Sequence, residues 1–390
     1  MKCVLVILIL IESTLLIGQD LPLSASPKKS INQTKSDSYT PPSPRRFVVK
    51  KVPKHIILII GDGSGLAQWS AYDAKRTQGD HTSANGAIVF TDFPVFGLSF
   101  TQSANSFITD SGAGATAMST GQKSQNGMIG LSADSTPFKT LSEIAHLNNK
   151  STGIAVTCEL THATPAAFFA HQVSRESMLE IGEDFLKGSC IDVAMGGGKQ
   201  YFDTVALVKA GYALGTGEKA IVALQDQKRR VLFYDNQPAP PKAQEGRNSM
   251  GSYLEKASNS ILRTMFQNPN GSFTMIEGSQ IDWAGHDNDS VYLMAEMEDF
   301  DYTIREVLKM AKQQQNTLVV VSADHETGGL SLLGWDNDGK QPAMNFSSHH
   351  HSGIPVPVFA WGPGSEIFGG SYQNTEIFYK IKGLMELSKH

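Results

Sequence analysis

Residues 55–65 read His55-Ile-Ile-Leu-Ile-Ile60-Gly-Asp-Gly-Ser-Gly65, five aliphatic residues in a row that stop on glycine and aspartate. A short, nearly continuous apolar run closed by glycine is the pattern of a strand buried on both faces, as in a parallel sheet. Four more runs of this kind follow: Gly153-Ile-Ala-Val-Thr-Cys158, Phe273-Thr-Met-Ile-Glu277, Leu318-Val-Val-Val-Ser-Ala323 and Val356-Pro-Val-Phe-Ala360. Between the third and the fourth, Leu293, Met297, Phe300, Ile304, Val307 and Ala311 recur at steps of three and four, which predicts an amphipathic crossover helix. Strands alternating with helical patterns place the chain in the α/β class, with a central, mostly parallel sheet flanked by helices on both faces.

The chemistry lies just past the strands. In open α/β sheets, ligands bind beyond the carboxyl ends of the strands. The first strand ends in Gly61-Asp62-Gly63, the second runs into Thr161-His162-Ala163-Thr164, the third into Glu277 and Asp282, and the fourth into Asp324-His325-Glu326. One polar strand end is ordinary loop composition. Four that share Asp, Glu and His predict a common site at one edge of the sheet.

Composition narrows the function. With 40% apolar and 18% charged residues over 390 positions, the chain is a folded enzyme-sized protein and not a disordered one. Lys and Arg outnumber Asp and Glu by 9 to 3 in residues 1–54, whereas the rest of the chain has 24 against 35. Such an acidic body is unsuited to nucleic acid, whose affinity rests on neutralised phosphates. An anionic small substrate would need bound cations.

Met1-Lys2 precedes an apolar stretch from Cys3 to Ile11, then Glu12 and Leu15-Leu-Ile-Gly18. This reads as a secretory signal over residues 1–19, cleaved between about 18 and 26, and places the mature chain outside the cytoplasm, secreted or periplasmic. The run is too short and too interrupted for a stable membrane span. Residues 20–54, rich in Ser, Pro and Lys, read as a solvated tether, and residues 55–390 as the globular body. Cys3 leaves with the signal; Cys158 and Cys190 read equally as two buried thiols or as a disulfide. Residues 200–260, with Gln237-Pro-Ala-Pro-Pro241, read as a surface excursion.

Zinc takes imidazole nitrogen and carboxylate oxygen, and magnesium prefers oxygen donors. Glu277-Gly-Ser-Gln-Ile-Asp282-Trp-Ala-Gly-His286, Asp324-His325 and His349-His-His351-Ser-Gly353 together offer ligands for two metals and a neighbouring third ion. That arrangement suits phosphoryl transfer, where metals clamp the attacking and leaving oxygens. Thr109-Asp110-Ser111-Gly112-Ala113-Gly114-Ala115-Thr116 starts a helix of small residues, which puts Ser111 at a helix N-terminus that favours anions. There is no Gly-x-Ser-x-Gly elbow, so a metal-activated serine alkoxide fits better than a Ser-His-Asp triad.

Taken together, Asp62-Gly-Ser-Gly65, Thr109 through Gly121, His162-Ala-Thr-Pro165, Glu277 through His286, Ala323-Asp-His-Glu-Thr-Gly-Gly329 and His351-Ser-Gly353 resemble the alkaline phosphatase family in order and spacing, over roughly residues 55 to 387. The resemblance implies phosphate-monoester hydrolysis with two zinc ions and one magnesium ion. Ser111 would take the phosphoryl group and Arg175 would clamp it, its guanidinium fork meeting two phosphate oxygens. Asp282, His286 and His351 would hold one zinc; Asp62, Asp324 and His325 would hold the other; Asp62, Thr164 and Glu277 would hold the third ion. Two displacements through a phosphoserine would give net retention, with activity rising toward alkaline pH. His162 and Trp283, beside the bound phosphate, depart from a common pattern in which an Asp and a Lys stand there. His162 removes a negative charge near the third ion, and Trp283 removes a cation near the phosphate. Only 25 residues separate His325 from His351, so the chain resembles a compact member without a large inserted surface domain. Family members are commonly dimeric, and the short surface leaves a monomer open as well.

Two other readings compete. A phosphodiesterase or sulfatase would share the metal scaffold, but the sulfatase nucleophile motif is missing and diesterases lack the arginine. A secreted phosphate- or metal-binding protein would be expected to have lost a ligand or the nucleophile, and every position is filled.

Overall fold

The computed structural model describes residues 49, 51–78, 88–247, 252–336 and 338–388, which fall in one unit, Phe47–His390. The leader and nearly all of the tether lie outside the described residues. Among the described residues, no helix is long and apolar enough to cross a membrane.

In chain order the strands are β1 (His55–Gly61), β2 (Val95–Phe100), β3 (Ser151–Glu159), β4 (Val193–Gly197), β5 (Ala213–Thr216), β6 (Arg230–Phe233), β7 (Ser272–Gly278), β8 (Thr317–Ser322), β9 (Glu326–Thr327), β10 (Leu330–Trp335), β11 (Pro342–Phe346), β12 (His351–Ser352), β13 (Val356–Trp361) and β14 (Gly370–Gln373). Ten of them form one sheet in the order β14-β2-β13-β8-β1-β7-β3-β4-β6-β5. The alternation expected of a doubly covered strand is visible in β1: Ile56, Leu58 and Ile60 enter the core on one face, and Ile57 and Ile59 enter the core on the other. The crossover helix runs from Ser290 to Gln314, and its six periodic residues all join the second of these cores. The helix Ser111–Thr120 lies on the opposite face, with Ala115 and Met118 in the first core.

All pairings in the large sheet are parallel except those of β13, which runs against both β2 and β8. This reversal positions the site. An antiparallel strand begins at the edge where its neighbours end, so the segment leading into β13 reaches the carboxyl ends of β1, β7 and β8. There β12 pairs with β9, opposing His351 to Thr327 and Ser352 to Glu326.

The stretch 200–260 corrects the expectation of a surface excursion. Residues Arg230–Phe233 are fully buried and pair with β4 and β5. The helix Tyr253–Met265 buries Leu254, Ala257, Ile261 and Met265 in the core. Its strands have only four residues each, too short for a legible alternation.

His55, at the opposite end of β1 from the site, is fully buried with Nδ1 2.9 Å from Ser272 Oγ. Burial, aided by the charges of Lys54 and Lys150, lowers its pKa from 6.5 to about 4. Between those values the unfolded chain binds the extra proton and the folded chain does not, so stability falls as pH drops through this window. Urea titrations of wild type and a His55→Gln variant at pH 6.5 and 4 test this: the variant is expected to lose less stability by up to about 3 kcal/mol, and equal losses would contradict the assignment.

Candidate active site

The strand ends deliver the donors. Asp62 follows β1, Glu277 sits in β7, Asp324 and His325 follow β8, and His351 opens β12. The helix Gln280–Asp287, next after β7, places Asp282 and His286 four residues apart on one face. The structure gathers these residues into three groups, each with ligand atoms within 4.8 Å of one another: Asp282, His286 and His351; Asp62, Asp324 and His325; and Cys158, His162 and Glu277.

In the first group the two imidazole Nε2 atoms are 3.1 Å apart, and each is 3.4 Å from Asp282 Oδ1. Backbone carbonyls set the ring tautomers. His286 Nδ1 is 2.5 Å from the His349 carbonyl and His351 Nδ1 is 2.8 Å from the Thr109 carbonyl, so Nδ1–H donates and both Nε2 atoms face Asp282, where a bound cation would displace their protons and take their lone pairs. Of the three consecutive histidines, it is His351 that joins Asp282 and His286 in this group. His349 serves through its backbone carbonyl, with its ring Nδ1 2.7 Å from the His286 carbonyl.

In the second group His325 Nε2 lies 3.2 Å from Asp324 Oδ2 and 3.5 Å from Asp62 Oδ1. The same nitrogen is 3.1 Å from Ser111 Oγ. The His325 ring stacks on that of His351 at 3.5 Å between centroids, so the two groups adjoin with Ser111 at their seam. Ser111 is the first residue of its helix, capped by Asp110, whose Oδ1 accepts from Ala113 N at 2.9 Å.

Close approach requires small residues here. Gly63 has φ +74°, and a Cβ on it would lie 2.8 Å from Asp282 Cα; one on Gly114 would lie 3.0 Å from the Asp324 carbonyl oxygen. Both glycines let the Ser111 helix and the β1 turn close against the donors.

The electrostatics call for cations. Burial, and then the charge of Asp324, push Asp62 and Glu277 well above the usual carboxylate range. Burial and Asp282 raise Asp324 to about 6. Burial works in the same direction on Asp282, but hydrogen bonds from His286 and His351 hold it well below the ordinary value. Its carboxylate in turn raises His286 to about 9. Asp62 Oδ1, Asp324 Oδ2 and Glu277 Oε1 are buried with no hydrogen-bond partner, although buried acceptors are rarely left so. Crowded, unsatisfied carboxylate oxygens with converging imidazole lone pairs fit divalent metals, and the first two groups have the His and Asp donors that suit zinc.

Of the residues expected around a third ion with Asp62, Thr164 Oγ1 donates to Asp62 Oδ2 at 3.3 Å, and Glu277 groups with Cys158 and His162. Arg175 Nη1 donates to Asp110 Oδ2 at 3.0 Å and its Nη2 lies 3.3 Å from His162 Nε2. The rings of His162 and Trp283 meet edge to face at 6.0 Å. Burial and Arg175 lower His162 to about 3, so its imidazole is neutral.

Sequence reasoning missed three supports. Asp110 was legible as a helix cap, yet its second oxygen also anchors Arg175 and accepts from Gly127 N at 3.0 Å. Thr327 Oγ1 bonds Asp282 Oδ1 and lies 3.2 Å from His325 Nδ1, tying the two groups together. Glu326 accepts from Gln68 Nε2, Leu330 N and Ser352 Oγ, which staples the loop after β8 to the His351 segment. Cys158 and Cys190 are both buried and free.

The chain matches the family model described as alkaline phosphatase over residues 53–346. It is 32% identical to alkaline phosphatase 4 of Bacillus subtilis over 84% of this chain and 88% of that protein. Among solved structures it resembles the alkaline phosphatase of the Antarctic bacterium TAB5, with 39% identity, a TM-score of 0.78, and coverage of 86% of this chain and 99% of that one. A histidine-to-aspartate variant of that enzyme is described with Mg bound in its M3 site. A cold-active alkaline phosphatase from Shewanella matches at 30% identity and a TM-score of 0.79, over 85% of this chain and 99% of that one.

Proposed function

The chain belongs to the alkaline phosphatase family and hydrolyses phosphate monoesters, and from that premise we propose that Ser111 takes the phosphoryl group between two zinc-binding clusters. The observation that carries this reading is Ser111 Oγ at 3.1 Å from His325, whose ring stacks on His351 of the adjoining cluster. Asp62, Asp324 and His325 would hold one zinc and Asp282, His286 and His351 the other, with a third ion near Glu277. Bound there, the metals would supply Lewis acidity that lowers the pKa of a hydroxyl or a water and offsets the charge of the phosphate.

The protein's own groups do the rest. Arg175 receives two phosphoryl oxygens on its fork, held at the right angle by Asp110. The N-terminus of the Ser111–Thr120 helix favours the anion. Ser111 Oγ attacks in line, the alcohol leaves, and water from the opposite side then releases inorganic phosphate from the phosphoserine. Trp283 and His162 border the phosphate without adding charge. The charged, then apolar Met1–Gly18 segment supports export of the protein.

Two experiments test the assignment. Chelated protein is expected to lose hydrolysis of p-nitrophenyl phosphate and regain it with zinc plus magnesium, with little turnover of bis-p-nitrophenyl phosphate; a preference for the diester would overturn the monoester reading. An Asp110→Asn variant keeps an oxygen for the helix cap but loses the charge under Arg175. A charged hydrogen bond contributes about 1.5–3 kcal/mol, so kcat/KM should fall by about 10- to 100-fold, with metal content unchanged and a lower melting temperature because Gly127 N also loses its acceptor. An unchanged kcat/KM would separate Asp110 from the phosphate clamp.

A further inference from the structure

The third group of donors contains a sulfur atom that the phosphoryl-transfer mechanism does not use. Cys158 is fully buried at the end of β3, and its Sγ lies 3.7 Å from Glu277 Oε2 and 3.3 Å from the Glu159 carbonyl. Glu277 is also fully buried. Its other oxygen, Oε1, has no hydrogen-bond partner, and neither has His162 Nδ1. One ligand atom from each of the three residues lies within 4.8 Å of the other two. A tetrahedral ion bound by sulfur at about 2.3 Å and oxygen at about 2.0 Å separates those ligands by about 3.5 Å, close to the distance observed between Cys158 and Glu277.

We propose that Cys158, His162 and Glu277 form a mixed sulfur, nitrogen and oxygen pocket that selects a soft divalent cation, zinc or cobalt(II), over magnesium as the third ion. This rests on the two-cluster reading of the active site but changes the identity of the neighbouring ion. Thiolate is a poor partner for magnesium and a good one for zinc. On binding, the S–H bond breaks, the electron pair goes to the metal and the proton leaves to solvent.

Occupation also bears on substrate binding. His162 Nε2 lies 3.3 Å from the Arg175 guanidinium. Either ring nitrogen ligates only by giving up that contact: Nε2 because its lone pair is then used, and Nδ1 because the ring proton then resides on Nε2. A filled pocket therefore frees one edge of the guanidinium for phosphate.

The test uses the metal-stripped full chain, saturated with cobalt(II). Wild type and a Cys190→Ser control are expected to show a sulfur-to-cobalt charge-transfer band in the near ultraviolet, absent in Cys158→Ala and in Cys158→Ser. Competition with a chromophoric chelator should show third-ion zinc affinity at least about 10-fold weaker in the two Cys158 variants, with magnesium affinity unchanged. A saturated wild type without the band, or a band that survives in either Cys158 variant, would overturn the proposal. The visible d–d bands of the two paired clusters and turnover of p-nitrophenyl phosphate report on the catalytic reading separately.

Discussion

Replacing Ser111 by alanine is expected to lower kcat/KM for a phosphate monoester by at least about 10³-fold, a loss of about 4 kcal/mol of transition-state stabilisation. Ser111 is 1% exposed and its hydroxyl faces His325. Its removal abolishes the covalent route, which divides one difficult displacement into two easier ones. None of the residues assigned to metals is altered, and Asp110 still caps the helix. Metal content and melting temperature should therefore match wild type, which separates loss of the nucleophile from collapse of the site. A variant within 10-fold of wild type would mean that water attacks the substrate directly.

Replacing Arg247 by methionine is expected to cost about 3–5 kcal/mol of folding stability, because breaking a buried ion network leaves uncompensated charge. Arg247 is fully buried, with Nη2 at 2.5 Å from Glu296 Oε2 and 3.0 Å from Asp299 Oδ2. Its Nη1 also donates to the Pro241 carbonyl at 3.2 Å, and Glu296 Oε1 accepts from Ala243 N at 2.8 Å. The network thus fastens residues 241–247 to the crossover helix. Urea unfolding measures the loss, and a companion variant with Glu296→Gln and Asp299→Asn added should recover part of it. A loss under about 1 kcal/mol for Arg247→Met alone would show that water reaches the pair and screens it.

Arg247 also marks where the sequence was hardest to read. Long aliphatic strands such as β1 and β8 announce themselves because both faces are buried, and the crossover helix does so through its regular spacing. The four-residue strands β5 and β6 are too short for a period, and the Arg247 partners lie 49 and 52 residues along the chain. No local pattern encodes that pairing. Proline-rich residues 237–241 therefore read as surface, although the segment through Arg247 is locked to the core.

The site was more legible because its chemistry sits at strand ends, and Asp62, Glu277, Asp324 and His325 could be placed on one edge from strand order alone. His351 could be assigned only through the family resemblance. Its physical reason is the reversal of β13, which sequence does not disclose. Asp110, Thr327 and Glu326 were passed over because each has a sufficient local explanation, as a cap or as loop composition. Their second contacts come from distant segments. In the sequence Cys158 reads only as a thiol or a disulfide partner, since the approach of Glu277 depends on β3 and β7 being neighbours.

The most direct measurement is to quench turnover of a phosphorus-labelled monoester in acid and map the labelled peptide. The account predicts covalent phosphate on Ser111 in wild type and none in Ser111→Ala. Label on a histidine, or on any other hydroxyl, would contradict it.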